Sequence, residues 1–318
     1  MRANRKLGIV MDPISSIKPW KDSSLAMLLE AQARGWQIHY FELDDIFLDQ
    51  GIAMGQFRQL SVQDDNDHWF DFGAAGRCRL DELDAILMRK DPPFDLEYIY
   101  CTYILEQAEE SGVLVVNKPA SLRDCNEKLY TRMFPQCCVD TLVSRNPEIL
   151  KAFINENEDV IVKPLDGMGG QSIFRVQSGD LNTNAIIEAV SKHGRSQTMA
   201  QRYIPEISEG DKRILLIDGV AVPYALARLP AEGEIRGNIA AGASTRGQEL
   251  TERDRWLCEQ IGDDLRARGL LFVGIDVIGD YITEINVTSP TCIRELDREF
   301  GINISSDLFA CIESRISD

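Results

Sequence analysis

Three oxygen-bearing side chains lie in segments that are otherwise apolar. Asp276, Glu284 and Asn286 occur in the segments VGIDVIG and YITEINV. A carboxylate enclosed by apolar side chains needs a cation nearby. Glu284 and Asn286 are two residues apart, so an extended strand points both to one face, and hard oxygen donors suit Mg²⁺ whose remaining ligands are waters and phosphate oxygens. The pattern therefore predicts a site for magnesium and a nucleotide.

The register of the hairpin between these segments decides whether the three side chains can share an ion. A two-residue turn at Gly279 and Asp280 pairs Asp276 with Thr283, which puts Asp276 on the face opposite to Glu284. A three-residue loop or a β-bulge instead places Asp276 directly across from Glu284. We predict the latter register, because a shared metal ion requires it.

A glycine cluster follows an apolar run that contains Lys163. Gly167, Gly169 and Gly170 are succeeded by a second apolar run, so this loop joins two strands and is not the dinucleotide fingerprint that opens a helix. Backbone N–H groups in such a loop can close over phosphate oxygens, and the lysine can supply a point charge. Taken alone, the glycines are equally typical of a tight turn.

Cations are grouped in two places of an otherwise acidic chain. Lys212 and Arg213 lie at the start of an apolar run, and Arg228 and Arg236 flank a stretch rich in Gly and Ala. Arginine forks bind phosphate or carboxylate bidentately, although a surface salt bridge explains any one of them equally well. The stretch from Leu229 to Ser244 is small and polar enough to be a mobile lid.

The elements that position these residues follow from hydrophobic periodicity. Over roughly the first 120 residues, short apolar runs alternate with amphipathic helices that end at Gly35 and Gly112, which predicts a parallel sheet covered by helices. Ligands gather beyond the carboxyl ends of such strands. Arg89 follows one of them in LMRKDPPF, so it is either a substrate contact or a solvated strand end.

The pattern of the second half indicates an α+β arrangement. The segment SLRDCNEKLYTRMF predicts a helix capped by Asp124 or Asn126, and EDVIVKPLDGMGGQSIFRV predicts strand, glycine loop and strand. RILLIDGVAVPYALARL predicts a hairpin around Asp218 and Gly219. A later helix begins with a capping box from Thr251 to Asp254.

Composition excludes several classes of function. The 34 Lys and Arg against 51 Asp and Glu give a net charge of −17, which repels nucleic-acid backbones and anionic membranes. No apolar run approaches the roughly 20 residues of a membrane helix, and the amino terminus lacks the apolar core of a secretory signal. We therefore expect a cytoplasmic protein that binds neither nucleic acid nor membrane, whose eight cysteines are reduced.

Nine ordered segments resemble the ATP-grasp ligases and, within them, the bacterial glutathione synthetases over nearly the whole chain. They read GIVMDPI, LMRKDPPFD, VNKPASLRDCNEKL, VKPLDGMGGQSIFRV, EGDKRIL, VPYALARLP, RGNIAAG, FVGIDVIGD and TEINVTSPTCIRE. The resemblance implies an open parallel-sheet α/β domain over residues 1–124, the pre-ATP-grasp domain. It further implies a two-lobed α+β ATP-grasp domain over 125–318, with lobes at about 125–204 and 205–318.

The same resemblance implies roles for individual residues. The expected ATP contacts are Lys128 and Lys163 at the phosphates, the covering loop of Gly167, Met168, Gly169 and Gly170, the hinge of Gln201, Arg202, Tyr203 and Ile204, and Asp211 near the ribose. The expected metal ligands are Asp276, Glu284 and Asn286, for Mg²⁺ or Mn²⁺. The expected catalytic arginines are Arg213, Arg228 and Arg236, and the expected peptide contacts are Arg89, Ser289, Pro290 and Thr291.

The resemblance implies the ATP-dependent joining of γ-glutamylcysteine to glycine through an acyl phosphate. It also implies a homo-oligomer, specifically a tetramer. Two alternatives share the fold. One is another ATP-grasp ligase, such as one that joins D-alanine units, and the other is a nucleotide-binding regulatory protein of the synapsin type. A nicotinamide dehydrogenase is excluded, because the first strand lacks the glycine-rich turn.

Overall fold

The computed structural model describes residues 5–167, 169–231 and 244–316. Its first sheet is mixed. The strands are β1 (Lys6–Val10), β2 (Gln37–Phe41), β3 (Ile46–Asp49), β4 (Ile52–Val62), β5 (Phe70–Arg79), β6 (Ala85–Met88) and β7 (Leu114–Val116). β2, β1, β6 and β7 run parallel, as predicted, whereas β3, β4 and β5 form an antiparallel extension.

Helices α1 (Ser23–Ala33), α2 (Leu96–Glu110) and α3 (Pro119–Asp124) accompany this sheet. Asp22 caps α1 by accepting a hydrogen bond from the Leu25 amide at 2.7 Å. The glycines predicted to end α1 and α2 both have positive φ, which a side chain resists at a helix end. The alternation of strands and helices therefore predicted this part of the fold correctly.

The second sheet is small and antiparallel. Its strands are β8 (Thr141–Ser144), β9 (Asp159–Pro164), β10 (Phe174–Gln177) and β11 (Thr198–Arg202), in the order β10-β9-β11-β8. Helices α4 (Pro147–Asn157) and α5 (Thr183–Val190) cover one face, and the two layers enclose a core of their own around Leu150 and Val162. The predicted strand, glycine loop and strand are β9, the loop after it and β10.

The third sheet carries most of the charged residues identified in the sequence. Its strands are β12 (Asp211–Ile217), β13 (Val220–Leu229), β14 (Ser244–Glu249), β15 (Phe272–Ile278) and β16 (Tyr281–Asn286), in the order β14-β13-β12-β15-β16. Helices α6 (Glu252–Ala267), α7 (Ile293–Phe300) and α8 (Ile304–Ile316) complete the chain. The predicted hairpin and the capping box of α6 are both present.

One predicted helix is wrong in its extent. The segment SLRDCNEKLYTRMF does not form one helix, because α3 ends at Asp124 and a short 3₁₀ helix follows over Leu129–Met133. Asn126 does act as a cap, since its side-chain oxygen accepts from the amides of Lys128 and Leu129. Because of this break, Lys128 lies outside both helices, and its side chain reaches the cavity described below.

Buried polar contacts join the first sheet to the third. The Asn117 amide, which follows β7, donates to the carbonyls of Phe272 and Val287 at 2.7 Å, and its oxygen accepts from the Phe272 amide at 2.9 Å. These bonds satisfy backbone groups that would otherwise be buried without partners. Across the described ranges, no helix combines the length and apolar composition that crossing a bilayer requires.

Candidate active site

Two cavities meet on one face of the third sheet. The narrow cavity, of about 110 Å³, lies where this sheet faces the second sheet. The wide cavity, of about 660 Å³, continues toward the first sheet. Both are lined by Gly167, Gly169, Asp276 and Glu284, so these residues mark the junction of the two cavities.

The narrow cavity brings together most of the residues expected to contact ATP. Those that line it are Lys128, Lys163, Gly167, Gly169, Gly170, Gln201, Arg202, Tyr203, Ile204 and Asp211. Residues from the loop after α3, from β9, from β11 and from β12 converge here although they are up to about 80 positions apart. Met168, expected in the same loop, lies outside the described residues.

The glycine loop is held close to its neighbours. A Cβ at Gly167 would lie 2.8 Å from the ring of Pro164, and Gly169 and Gly170 have φ of +62° and +77°. Lys128 Nζ donates to the Gly167 carbonyl at 2.6 Å and lies 3.3 Å from the Glu284 carboxylate. A positively charged nitrogen therefore already lies beneath the loop that was predicted to cover phosphates.

Lys163 is buried at the same place, at the end of β9. Burial lowers the pKa of Lys163, and the charge of Lys128 acts in the same direction, whereas Glu284 and Asp211 oppose it. An additional anion in the narrow cavity would stabilise the charged form of this lysine.

Apolar residues that the sequence did not single out line the rest of the narrow cavity. They are Ile161, Ile173, Ile207 and Ile278. Together with Ile204 they offer flat apolar surface beside the polar hinge, which suits the planar ring of a nucleobase. No local signal marked them, because an isoleucine is normally a core residue.

The register of β15 and β16 brings the expected metal ligands onto one face. Ile278 pairs with Tyr281 across the turn, and a bulge follows, so that Asp276 pairs with Glu284 and Gly274 with Asn286. The predicted pairing is thus confirmed, and the bulge at Thr283, not a three-residue loop, produces it. The Thr283 hydroxyl donates to the Asp276 carbonyl at 3.2 Å.

The donor set of Asp276, Glu284 and Asn286 fits a hard divalent cation. The Asn286 side-chain nitrogen donates to the Gly274 carbonyl at 3.2 Å, which leaves the amide oxygen available as a ligand. The described ranges contain no group of three or more His, Cys, Asp or Glu residues arranged to hold a metal. The candidate set has two carboxylates, so phosphate oxygens and water would complete the coordination.

The two described arginines lie beside the carboxylates on the same face. Arg213 pairs across the strands with Asp276, and its Nε is 2.5 Å from that carboxylate. Arg228 pairs with Asp211 and lies 2.5 Å from its carboxylate and 3.0 Å from that of Asp276. Because side chains alternate along a strand, Lys212 points to the opposite face, where it forms an ion pair with Asp254.

These pairs set the protonation of the acids. Burial acts to raise the pKa of Asp276, but the guanidinium groups of Arg213 and Arg228 outweigh it and hold that pKa well below its usual range. Burial raises the pKa of Asp211 to about 6, although Arg228 opposes the shift. One oxygen of Asp211 is buried without a hydrogen-bond partner among the described residues. Asp276 therefore stays ionised, with its carboxylate held by the two arginines.

Asn286, Ser289 and Thr291 line the wide cavity, together with Arg213 and Arg228. The loop after β16 is fixed from below by Glu127, whose carboxylate accepts from the Thr288 hydroxyl at 2.8 Å and from the Val287 and Thr288 amides. Burial raises the pKa of Glu127, and the nearby Glu284 adds to the shift. No pattern in the sequence around Glu127 indicates this role.

Arg89 and Pro290 contact each other behind the wide cavity. Arg89 donates to Ser24 Oγ at 3.1 Å and to the Pro290 carbonyl at 2.9 Å, and Ser289 Oγ donates to the Arg89 carbonyl at 3.3 Å. The Arg89 guanidinium is buried, so Arg89 is not a solvated residue at a strand end. Arg236 and most of the expected lid lie outside the described residues.

The sheets and cavities define the class of this protein. The same fold occurs in the solved structure of the ATP-grasp ligase PsnB, which matches with a TM-score of 0.65 at 18% identity over 99% of each chain. A D-cycloserine synthetase matches with a TM-score of 0.70 at 14% identity, over 98% of this chain and 100% of that one. D-alanyl-alanine synthetase A from Vibrio cholerae matches with a TM-score of 0.62 at 12% identity, over 99% of each chain. These likenesses establish an ATP-grasp fold.

The particular family follows from sequence. Residues 6–123 match the model of the prokaryotic glutathione synthetase N-terminal domain, and residues 127–301 match that of the prokaryotic glutathione synthetase ATP-grasp domain. The chain is 58% identical to the glutathione synthetase of Pseudomonas aeruginosa and 57% identical to that of Vibrio vulnificus strain YJ016, with 98% coverage of each chain. The chain belongs to the prokaryotic glutathione synthetase family, and the resemblance in the sequence is thereby confirmed.

Proposed function

We propose that this protein is an ATP-dependent carbon–nitrogen ligase that joins γ-glutamylcysteine to glycine, with release of ADP and phosphate. The observation that carries the proposal is the junction of the two cavities. A nucleotide in the narrow cavity directs its terminal phosphate toward Asp276 and Glu284, where a substrate carboxyl group in the wide cavity can meet it. Full-length relatives at 57–58% identity bear the name of this activity.

ATP is needed because a carboxylate is a poor electrophile. In the proposed reaction, the cysteinyl carboxylate oxygen attacks the γ-phosphorus, ADP leaves, and an acyl phosphate forms. The amine of glycine then attacks the acyl carbon, phosphate leaves, and a proton is lost from nitrogen. Both steps build negative charge on phosphoryl or carbonyl oxygens, so cations held in fixed positions lower the barrier.

Four described cations surround the place where this charge develops. Lys128 and Lys163 lie on the nucleotide side and Arg213 and Arg228 on the peptide side, and all four are buried. We assign the lysines to the phosphates and the two arginines to the transferred phosphoryl group and the tetrahedral intermediate. The assignment of Arg236 to the same task, and of Met168 to the covering loop, rests on the family resemblance alone.

Mg²⁺ is the proposed metal, and Mn²⁺ is an alternative, with Asp276, Glu284 and Asn286 as its protein ligands. When bound, such an ion neutralises phosphate charge and orients the triphosphate. The hinge Gln201–Ile204 is assigned to adenine and Asp211 to the ribose side. Arg89 and Pro290 are assigned to the support of the loop from Ser289 to Thr291, which faces the peptide.

The remaining expectations are also proposals. We assign residues 1–124 to the N-terminal domain and 125–318 to the ATP-grasp domain, with its lobes divided near residue 204. The protein is proposed to be cytoplasmic and to assemble as a homotetramer, with small molecules as its partners and neither nucleic acid nor membrane among them. Sedimentation of the purified chain measures the assembly directly.

A coupled assay tests the function. The protein is mixed with ATP, Mg²⁺, γ-glutamylcysteine and glycine, and both ADP and tripeptide are followed. We expect equal amounts of the two, and no tripeptide when EDTA removes the metal. ADP that appears only with D-alanine would indicate another ligase, and nucleotide binding without turnover would indicate the regulatory class.

A further inference from the structure

The strand that carries two of the expected metal ligands has an open edge. Glu284 and Asn286 belong to β16, which lies last in the order of the third sheet, so one of its edges has no strand beside it in the described part of the chain. Backbone amides at such an edge need acceptors, and an edge that nothing holds can shift. What holds this edge therefore bears on where the two ligands lie.

A single residue from outside the sheet occupies this edge. The main-chain carbonyl of Glu127 accepts from the Ile285 amide at 2.9 Å, and the Glu127 Oε1 accepts from the Val287 amide at 3.1 Å. The two amides are two residues apart, so both point to the same side of the strand, and Asn286 lies between them. Glu127 thus takes the place of a neighbouring strand.

The same carboxylate oxygen holds the chain just beyond the end of β16. Glu127 Oε1 also accepts from the Thr288 amide at 3.2 Å and from the Thr288 hydroxyl at 2.8 Å. Ile285, Val287 and Thr288 are buried, so water does not replace a lost acceptor there. Removal of this oxygen would leave two backbone donors unpaired unless the end of the strand moved.

The segment that contains Glu127 is anchored independently of β16. The Asn126 side-chain oxygen accepts from the Lys128 amide at 3.2 Å, and the main-chain carbonyl of Asn126 accepts from the Tyr130 amide at 2.7 Å. The Tyr130 hydroxyl donates to the Asp264 carboxylate of α6. Glu127 can therefore hold the strand in place, because its own position does not depend on that strand.

The geometry favours the position of Glu127, and not its charge, as the property that matters. Burial and the charge of Glu284 raise the pKa of Glu127, and the charge of Lys128 acts against them. The Lys128 ammonium lies 3.3 Å from the Glu284 carboxylate. A positive charge thus already offsets the negative charge of Glu127 near the expected metal ligands, whereas nothing else described here accepts from the Val287 amide.

We propose that Glu127 is a positioning residue for the metal site: by taking the place of a neighbouring strand, it holds Glu284 and Asn286 in the arrangement that binds a divalent cation. The inference rests on the metal assignment made in the proposed function. Residues that orient metal ligands typically contribute about 10- to 100-fold in metal affinity. The reach of the acceptor oxygen at position 127 should therefore decide metal affinity.

Two substitutions separate reach from charge. Glu127→Gln keeps an acceptor oxygen at the same reach and removes the charge, whereas Glu127→Asp keeps the charge and is one methylene shorter, so it loses the Val287 and Thr288 amides. Electron paramagnetic resonance measures the Kd of Mn²⁺ in the presence of a non-hydrolysable ATP analogue. We expect this Kd to rise less than about threefold in Glu127→Gln and about 10- to 100-fold in Glu127→Asp.

Glu109 provides matched controls, because it is a half-buried carboxylate of α2 that lines neither cavity and whose pKa is also raised by burial. Glu109→Gln and Glu109→Asp should leave the Kd of Mn²⁺ unchanged. In EDTA, all variants should bind the ATP analogue equally, since the two lysines of the narrow cavity are intact. If thermal transitions show that Glu127→Asp does not fold, Glu127→Met, which lacks an acceptor oxygen, replaces it in the comparison with Glu127→Gln.

Several results would overturn the inference. It fails if Glu127→Asp binds Mn²⁺ as tightly as the unaltered protein, if Glu127→Gln weakens binding as much as Glu127→Asp does, or if the Glu109 variants show the same loss. An unaltered protein that binds the nucleotide but no Mn²⁺ would overturn the metal assignment and this inference with it. Absence of tripeptide synthesis by an unaltered protein that does bind Mn²⁺ would instead contradict the proposed reaction, so the two failures are distinct.

Discussion

Lys163 is a buried cation at the end of a strand, close to a second lysine. Burial and the charge of Lys128 both make its ionised form costly, and the nearby carboxylates only partly compensate. Such an arrangement is unfavourable for folding but favourable for binding a triphosphate, whose charge relieves the repulsion between the two lysines. We therefore attribute this buried lysine to the proposed function and not to stability.

Lys163→Met tests this interpretation because methionine keeps most of the volume and removes the charge. We expect kcat/KM for ATP to fall about 10²- to 10³-fold, as for loss of one preorganised charge, while the melting temperature stays the same or rises. Steady-state kinetics and thermal unfolding measure the two effects. Lys151→Met, which breaks an exposed pair with Glu148, should change neither. A large fall in stability with unchanged kinetics would show a structural lysine.

At the scale of elements, the register of β15 and β16 determines which side chains share a face. A bulge of one residue moves Glu284 from the face opposite to Asp276 to the same face. Gly274 contributes in another way, because a Cβ there would lie 2.9 Å from Pro290 and 3.0 Å from the Arg213 side chain. The position of Arg213 thus depends on a glycine in the neighbouring strand.

The hairpin of β12 and β13 packs against α6 through two glycines. Gly219 has φ of +71° in the turn, and a Cβ at Gly262 would lie 2.4 Å from the Gly219 carbonyl oxygen. Both partners are backbone, so neither can move aside without shifting a strand or the helix. This contact requires glycine at position 262, although glycine is a poor helix former.

We predict that Gly262→Ala destabilises the protein by about 2 kcal/mol or more, even though alanine favours the helix. Chemical denaturation measures the loss. Glu259→Ala, at an exposed position of the same helix, should stay within about 0.5 kcal/mol of the unaltered protein. Equal stability of the two variants would mean that α6 moves away from the hairpin at little cost.

A carboxylate between α7 and α8 makes stability depend on pH. Burial raises the pKa of Asp297 to about 6, and its Oδ1 accepts the Ile304 amide at 3.0 Å at the start of α8. Arg294 opposes the shift and Asp307 adds to it. Because the folded pKa lies above the usual 3.8, this group favours folding below pH 4, and that contribution is lost as pH rises through 6.

Asp297→Asn should therefore stabilise the protein at pH 8 and have no such effect at pH 4, since the amide keeps the acceptor oxygen and removes the charge. We expect a gain of roughly 1 kcal/mol at pH 8, because partial exposure to solvent reduces the effect of burial. Melting temperatures from pH 4 to pH 8 measure it, with Glu299→Gln as control. A constant difference across this range would contradict the titration.

At the scale of the whole molecule, the charge around the two cavities differs from the net charge of the chain. The chain carries a net charge of −17, but the seven Lys and Arg side chains that line the two cavities almost balance the eight Asp and Glu side chains there. This region therefore repels an anionic nucleotide less than the rest of the surface does. The site lies between the second and third sheets, so a nucleotide bound there would contact both.

Nucleotide should therefore stabilise the folded chain as a unit. With Mg²⁺ and a non-hydrolysable ATP analogue at about 100 times its Kd, the free energy of unfolding should rise by about 2.7 kcal/mol, which corresponds to roughly 5 °C in melting temperature. EDTA should reduce the shift, and Lys163→Met should abolish it. A shift of equal size in Lys163→Met would contradict the placement of the triphosphate.

Some elements could be predicted from the sequence because the signal for each is contained in a few neighbouring residues. The parallel strands, α1, α2, the Asp218–Gly219 hairpin and the capping box of α6 each depend on residues within one turn or one strand. The extension of β3, β4 and β5 was missed, since β5 is mostly exposed and lacks an apolar alternation. The helix across residues 121–134 was predicted too long because helical periodicity does not reveal a break that Asn126 caps.

Within the site, the sequence identified charged side chains and missed those whose environment alone makes them informative. Asp276, Glu284 and Asn286 were found because polar atoms are conspicuous in apolar strands. The isoleucines of the narrow cavity and Glu127 were not, since nothing near them in the chain differs from an ordinary core or surface residue.

The sequence by itself determined the family, the parallel core of the first sheet and the presence of residue types that suit phosphate and metal, because these depend on motifs and on local alternation. Only the tertiary structure decided that a bulge, not a longer turn, aligns Asp276 with Glu284, that Lys212 points to the opposite face of its sheet, and that Arg89 is buried against the loop that contains Pro290. The physical reason is that the face a side chain occupies, its burial and its pairing partner depend on residues distant in the chain. The relative positions of those residues arise only when the sheets pack.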